Sequence, residues 1–406
     1  MAEYRMLVVN HAVETGGAER VLIRLLESLD RGLFEPALAC PREGPLTVEA
    51  EKLGIEAHLG YPSPRLLEVK RRSVGNSGAG VLLYPYDLAR TVRGLARLIR
   101  RGGFDLVYTN SAKADIYGSL AGWVAGRPVV WRLHDIVTAE AFSRFNMFLF
   151  KSCASLFASR VLAVSGAASE ALVALGVPRR KVRTLYNGID LASVKPERGR
   201  ESVRVEWDIE ANAPLVGMVG RLVDWKGPDV FLRAAAAIAR ELSGARFMLV
   251  GDATFGEKSY VDELKGMCAD LGLEEKVVFT GFRSDVAEIM ASLDLLVHAS
   301  VLPDPLPTVL IEAMALGIPV IAAAGGGVGE IVEDGVTGLV VPPGDAEGMA
   351  VAALRVLGRR DEAVRMGEAG KKRAAEVFDI GLRTREMERE LCEVIAGAGG
   401  RGRRLR

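Results

Sequence analysis

Cysteine is scarce in this chain: four residues in 406, at Cys40, Cys153, Cys268 and Cys392. Their scatter shows neither metal-ligand spacing nor the density of a disulfide scaffold, which fits a reducing cytoplasm. Long apolar runs are also missing. No stretch approaches the about eighteen residues needed to cross a bilayer. The start, Met1-Ala2-Glu3-Tyr4-Arg5, has no signal-peptide pattern, so a cytoplasmic location is expected. No G-x-G-x-x-G follows the first apolar strand, which weakens a dehydrogenase reading. Net charge is absent as well, with 52 Lys+Arg against 52 Asp+Glu, and no nucleic-acid partner is expected.

That zero hides an asymmetry. Residues 1–190 carry 25 basic against 18 acidic side chains, or +7, and residues 191–406 carry 27 against 34, or −7. The halves are built for different partners. With 49% hydrophobic residues the chain can bury two ordinary cores. Strand patterns recur at Arg5–Asn10, Pro36–Cys40, Phe104–Thr109, Val129–Leu133 and Val161–Val164. They restart at Leu215–Gly220 and continue through Phe247–Gly251, Val277–Thr280 and Leu295–Val297. Helical patterns lie between them, and the whole reads as α/β with parallel sheets. The stretch Ala192–Ser202 reads as a linker, the Pro- and Gly-rich segment from Tyr61 to Tyr84 as a mobile loop, and Ile380–Ala396 as a charged amphipathic helix.

The richest stretch runs from Asp294 to Asp345. After the buried strand come Pro303, Pro305 and Pro307, which forbid regular structure, and Thr308 is expected to cap a helix Val309–Ala315. Gly317 ends that helix, Pro319–Ala322 starts another strand, and Gly325-Gly326-Gly327 follows. Free N–H groups and the partial positive charge of the helix start make the turn at Pro307, Thr308 and Val309 an anion site. Glu312 lies one turn on, about 6 Å along the axis. A phosphate at the helix start and ribose hydroxyls at Glu312 would suit that spacing, with Asp304 holding a second polyol. The ligand so implied is a nucleoside diphosphate sugar. Arg221 and Lys226 sit on the turn after Leu215–Gly220, beside Gly227 and Pro228, as a diphosphate requires; Lys226 is expected on an exposed turn. Arg283, after Val277–Thr280, is placed to reach the base.

In the first half, Gly16 and Gly17 open a helix after the first strand and let backbone approach a ligand. Asn110-Ser111-Ala112-Lys113 and Arg132-Leu133-His134-Asp135 stand at strand ends, where side chains face a crevice. His134 is one of four histidines, and its strand-end position makes it a candidate alongside the ordinary structural alternative. Arg90, Arg93, Arg97 and Arg100 share one helical face, with Val92, Leu95 and Ile99 opposite. Arg65, Lys70, Arg71 and Arg72 beside Leu66 and Leu67, and Phe142–Phe157 with Arg144 and Lys151, add basic and apolar side chains. These suggest an anionic membrane surface as partner; a solvated arginine face is the bland alternative.

The motifs now on the page carry a resemblance. Gly16-Gly17-Ala18-Glu19-Arg20, His134, Asn187-Gly188-Ile189-Asp190 and the Gly220-Arg221…Lys226-Gly227 turn occur in order. So do the block from Glu312 to Val320, the block from Glu330 to Gly338, and Val341-Pro342-Pro343-Gly344-Asp345. Together they resemble the retaining glycosyltransferases of family four, and the likeness covers nearly the whole chain. It implies the GT-B architecture: two Rossmann-like parallel-sheet domains facing a central cleft, with a C-terminal helix crossing back to the first. The expected boundaries are 1–190 for an acceptor-binding domain, 191–378 for a nucleotide-sugar-binding domain and 379–406 for the crossover helix and basic tail.

The resemblance also assigns roles. Arg221 and Lys226 match the cations that stabilise the leaving diphosphate, Glu312 the ribose ligand, and Gly16 and Gly17 the loop under the phosphates. His134 matches a histidine that hydrogen-bonds the donor sugar. Asp304 stands where the family's E-x7-E signature has its first glutamate, near the transferred hexose; aspartate keeps the charge and shortens the reach. No D-x-D pair occurs, so no metal site and no cofactor are expected, and front-face transfer with retention is the family expectation. The acceptor is expected to be a glycan, a lipid-linked sugar or a small molecule, met in the cytoplasm or on the inner face of the cell membrane. Two alternatives stay open: a nucleotide-sugar epimerase or hydrolase, and an inactive nucleotide-sugar-binding protein.

Overall fold

The computed structural model describes residues 2–14, 16–62, 66, 78–138, 144–253 and 258–402. They form two compact units, Met1–Gly188 with Ile380–Arg406, and Ile189–Asp379. Each is a parallel sheet covered by helices on both faces. Among the described residues no helix is long and apolar enough to cross a membrane.

The first unit holds strands β1 (Tyr4–Val9), β2 (Phe34–Cys40), β3 (Ala57–Leu59), β4 (Leu106–Thr109), β5 (Val129–Leu133), β6 (Arg160–Ala163) and β7 (Val182–Thr184). Their order is β3-β2-β1-β4-β5-β6-β7, every neighbour parallel. Burial on both faces explains why these strands read as continuous apolar runs. In β1, Leu7 and Val9 join one core with Val107 and Trp131, while Met6 and Val8 join the other with Leu106 and Tyr108. The second core is completed by Met387, Leu391 and Val394 of the last helix, which spans Ile380–Gly402. That helix is longer than its sequence pattern suggests and belongs to the first unit through this apolar stripe.

The second unit holds β8 (Leu215–Val219), β9 (Arg246–Val250), β10 (Val277–Gly281), β11 (Leu295–His298), β12 (Val320–Ala323) and β13 (Gly338–Val341), in the order β10-β9-β8-β11-β12-β13. In both sheets chain order reverses beside the first strand, at β1/β4 and at β8/β11. Open α/β sheets bind ligands outside the carboxyl ends of strands at such a reversal.

Several expectations need correction. The supposed linker Ala192–Ser202 runs into a helix, Arg200–Glu206, because Arg204 from that helix is anchored in the second unit's interior. The loop expected from Tyr61 to Tyr84 already contains the start of a helix, Gly78–Arg101; residues 63–65 and 67–77, including Arg65, Leu67, Lys70, Arg71 and Arg72, lie outside the described residues, as do Phe142 and the tail beyond Gly402. Thr308 does not cap its helix. Pro307 occupies the cap position at φ −69° without a side-chain hydrogen bond, and Thr308 is the first helical residue.

Candidate active site

Three loops of the second unit meet beside its β8/β11 reversal. The loop after β8 ends in a tight turn, Asp224–Lys226, then Gly227 at φ +70° and Pro228 opening the helix Pro228–Glu241. Gly227 is required there: a Cβ would overlap the Ala299 carbonyl of the loop after β11. The same loops are joined by Val301 N–H donating to the Trp225 carbonyl at 2.9 Å. From the other side, Gly327 N–H donates to the Asp304 carbonyl at 2.8 Å, and a Cβ on Gly326, at φ +59°, would overlap that same carbonyl. Backbone contacts this close fix where Lys226 and Asp304 stand.

They stand together. Lys226 Nζ donates to Asp304 Oδ2, and its ammonium lies 4.5 Å from the centre of the Trp225 ring. The Lys226 side chain is 18% exposed and that of Asp304 8%, so Lys226 is not on an exposed turn; the carboxylate and the indole draw it inward. A histidine joins them: His298 Nε2 lies 3.3 Å from Asp304 Oδ2 and 3.0 Å from Ser300 Oγ. Burial raises the Asp304 pKa, but the His298 hydrogen bond and the Lys226 charge outweigh it and hold the carboxyl at about 2. Asp304 is therefore ionised at neutral pH.

Glu312 lies half-buried on the helix Thr308–Ala315, on the face shared with Thr308 and Val309, while Leu310, Ile311, Ala313 and Met314 pack inward. Arg221 is exposed on the loop after β8 and makes no ion pair among the described residues. Arg283 stands just after β10. Its guanidinium is committed to Asp285 at 2.7 Å and Glu206 at 3.0 Å and lies over Trp207, because two carboxylates there outcompete open solvent.

The first unit supplies a second group of residues at the β1/β4 reversal. Gly16 precedes the helix Gly17–Ser28, and Glu19 folds back to accept from Gly16 N–H at 3.1 Å. Asn10 Nδ2 donates to the other Glu19 oxygen at 3.2 Å. The glycine turn is thus held by a buried carboxylate, leaving the helix N–H groups as its anion-facing feature. His134 is half-buried after β5, with Nε2 2.9 Å from Asn110 Oδ1. Only a donor satisfies that oxygen, which assigns the proton to Nε2 and leaves Nδ1 an acceptor. Burial, then the Arg132 charge, pushes the His134 pKa down to about 3, so the ring is neutral at pH 7. Arg132 does not face a crevice: it is buried, donating to the Leu185 carbonyl at 2.7 Å and Asn187 Oδ1 at 2.6 Å.

This arrangement has counterparts. A family model described as Glycosyl transferases group 1 matches residues 199–373, and one described as Glycosyltransferase Family 4 matches residues 15–193. A GDP-mannose-dependent alpha-mannosyltransferase of Mycobacterium tuberculosis is 30% identical over 82% of each chain. This chain belongs to the family-four glycosyltransferases.

The glycosyltransferase is also 25% identical, over 84% of each chain, to the UDP-Gal:alpha-D-GlcNAc-diphosphoundecaprenol alpha-1,3-galactosyltransferase of Escherichia coli. Its match to a D-inositol 3-phosphate glycosyltransferase of Nocardia farcinica is 34% identical but spans about half of each, 52% of this chain and 47% of that protein. Anabaena HepE, solved with UDP, superposes with a TM-score of 0.83 at 30% identity, covering 96% of this chain and all of that one. HepE has also been solved with UDP-glucose. The two Rossmann-like sheets are those of the GT-B fold.

Proposed function

We propose that this glycosyltransferase moves a hexosyl unit from a nucleoside diphosphate sugar to an acceptor hydroxyl, with retention and without a metal ion. One observation carries the reading: an ionised Asp304, Lys226 and the start of the Glu312 helix converge on loops beside the β8/β11 reversal. The relatives that act from GDP-mannose and UDP-galactose, and HepE with UDP-glucose, support a hexose carried on such a diphosphate.

The chemistry follows from where charge develops. As the glycosidic bond to phosphate breaks, the largest demand is stabilising the departing diphosphate. Lys226 and Arg221 supply cations, and the N–H groups of Thr308 and Val309, just after the Pro307 cap, supply donors at the positive end of the helix dipole. Glu312 takes the ribose hydroxyls and Asp304 is the carboxylate near the hexose. The family resemblance gives Gly16 and Gly17 the role of a loop under the donor phosphates and His134, neutral, a hydrogen bond to the donor sugar. With these cations in place and no D-x-D pair in the chain, transfer needs no divalent ion. Transfer in excess chelator, with product NMR showing the donor's anomeric configuration kept, is the expected result. An inverted product, or activity lost to chelator and restored by one divalent ion, would reject this mechanism. Donor breakdown without any acceptor product would point to the hydrolase or epimerase alternative.

The acceptor is proposed to be lipid-linked or close to an anionic membrane. On the helix Gly78–Arg101, Arg90, Arg93, Arg97 and Arg100 are exposed, while Val92, Leu95 and Ile99 are buried. The helix Arg144–Ser152 exposes Phe145 and Phe148, the latter 69%, between exposed Arg144 and Lys151. Each basic side chain near a charged leaflet contributes about 1 kcal/mol, enough together for reversible binding. The protein is expected to sediment with anionic vesicles at low salt and be released at high salt. Equal recovery with neutral and anionic vesicles would leave the arginine face as ordinary surface.

A further inference from the structure

We propose that His298 is a positioning residue of the transfer site, fixing the Asp304 carboxylate and, through it, the Lys226 ammonium. The proposal rests on the transferase reading above. None of the resembled motifs gives His298 a role; its contacts do.

His298 ends β11, a central strand, and is 5% exposed. Its Nε2 faces Asp304 Oδ2 and Ser300 Oγ. An imidazole lone pair aimed at an ionised carboxylate would be repelled, so Nε2 carries the hydrogen and shares it between the two oxygens. Nδ1 is buried and has no partner among the described residues. Every polar contact of the ring therefore goes to the short segment carrying Ser300 and Asp304.

That pattern is costly for a residue that merely fills space. An apolar side chain at the end of a buried strand would leave no nitrogen unsatisfied. What the histidine adds is a donor to one particular oxygen. Oδ2 of Asp304 takes both His298 and Lys226, while Oδ1 accepts from no described group. With one oxygen pinned by two donors, the carboxylate's rotation is set and the other oxygen is left for a ligand hydroxyl. Aspartate has fewer rotatable bonds than the glutamate of the resembled signature but also less reach. A donor from the strand end holds this shorter side chain where it meets Lys226.

The test compares His298→Leu, His298→Gln, Asp304→Asn and the His298→Leu/Asp304→Asn double variant for turnover, donor KM and denaturant stability. His298→Leu is expected to lower kcat about tenfold or more, with donor KM changed much less. His298→Gln, whose amide N–H can take the place of Nε2–H, is expected to recover most of the loss. The double variant should turn over no more slowly than Asp304→Asn alone, because His298 acts through that carboxylate. Wild-type kcat in His298→Leu, or losses that multiply in the double variant, would overturn the proposal. Stability gives a readout independent of turnover: the two single losses should be non-additive, and additive losses would also overturn it. Wild-type protein that couples His298 to Asp304 in stability yet transfers no sugar would instead count against the transferase reading.

Discussion

Lys226→Ala is expected to lower turnover by about 30- to 1000-fold, the consequence of losing about 2–4 kcal/mol of transition-state stabilisation. Lys226 carries the charge proposed to meet the diphosphate as it departs, so the loss should fall mainly on kcat. Stability should fall too. The substitution strips Asp304 of its cation and leaves a buried, ionised carboxylate with His298 as its remaining partner. Breaking a fully buried pair costs about 3–5 kcal/mol; since Lys226 keeps some solvent access, about 1–3 kcal/mol is expected here. Adding Asp304→Asn should restore much of that stability without restoring turnover. Near-wild-type kcat in Lys226→Ala would remove the role assigned to it.

The largest effect on folding is expected at Arg204, which touches none of the proposed ligand residues. Its side chain is 1% exposed. It donates to the carbonyls of Ser292, Glu210, Ala211 and Ala213 at 2.8–3.1 Å and to Asp294 Oδ2 at 2.8 Å. The same Asp294 oxygen accepts from Leu215 N–H, so one guanidinium ties the helix Arg200–Glu206 to the starts of β8 and β11. Alanine would orphan several buried acceptors and a carboxylate, for a loss of about 3–5 kcal/mol. In a domain of this size that lowers the melting temperature by roughly 6–20 °C. Lysine should not rescue it, since three mobile donors cannot replace a rigid five-donor fork. A melting temperature within a degree or two of wild type would show that these hydrogen bonds contribute little.

Arg204 also illustrates what a sequence conceals. It stands just past the polar stretch Ala192–Ser202 read as a linker, and nothing local says that Ser292 and Asp294, about ninety residues away, are among its partners. The central strands were legible because parallel-sheet burial demands continuous apolar runs such as Leu7-Val8-Val9 and Leu295-Leu296-Val297. The short edge strands Ala57–Leu59 and Val182–Thr184 carry too little of that signal. Turn chemistry exposed the loops holding Lys226 and Asp304, since Gly227 and Gly326–Gly327 mark close backbone approach. It could not show that the two side chains pair, which depends on loops 78 residues apart. His298 was within reach: it ends a strand six residues before Asp304, the strand-end position that singled out His134. Glu19, three residues after Gly16, likewise fits a capping-box spacing.

Donor binding followed by thermal unfolding tests most directly whether the loops around Lys226, Asp304 and Glu312 hold a nucleoside diphosphate sugar. A ligand bound to the folded state at about 100 times its Kd adds about 2.7 kcal/mol of stability. Across UDP- and GDP-hexoses, at least one should raise the melting temperature of the wild-type protein by several degrees. Glu312→Ala should abolish most of that rise at the same concentration, while a substitution on the exposed arginine face of the first unit, such as Arg97→Ala, should leave it unchanged. No shift with any nucleotide sugar, or an equal shift in Glu312→Ala, would place the donor site elsewhere or deny that it exists.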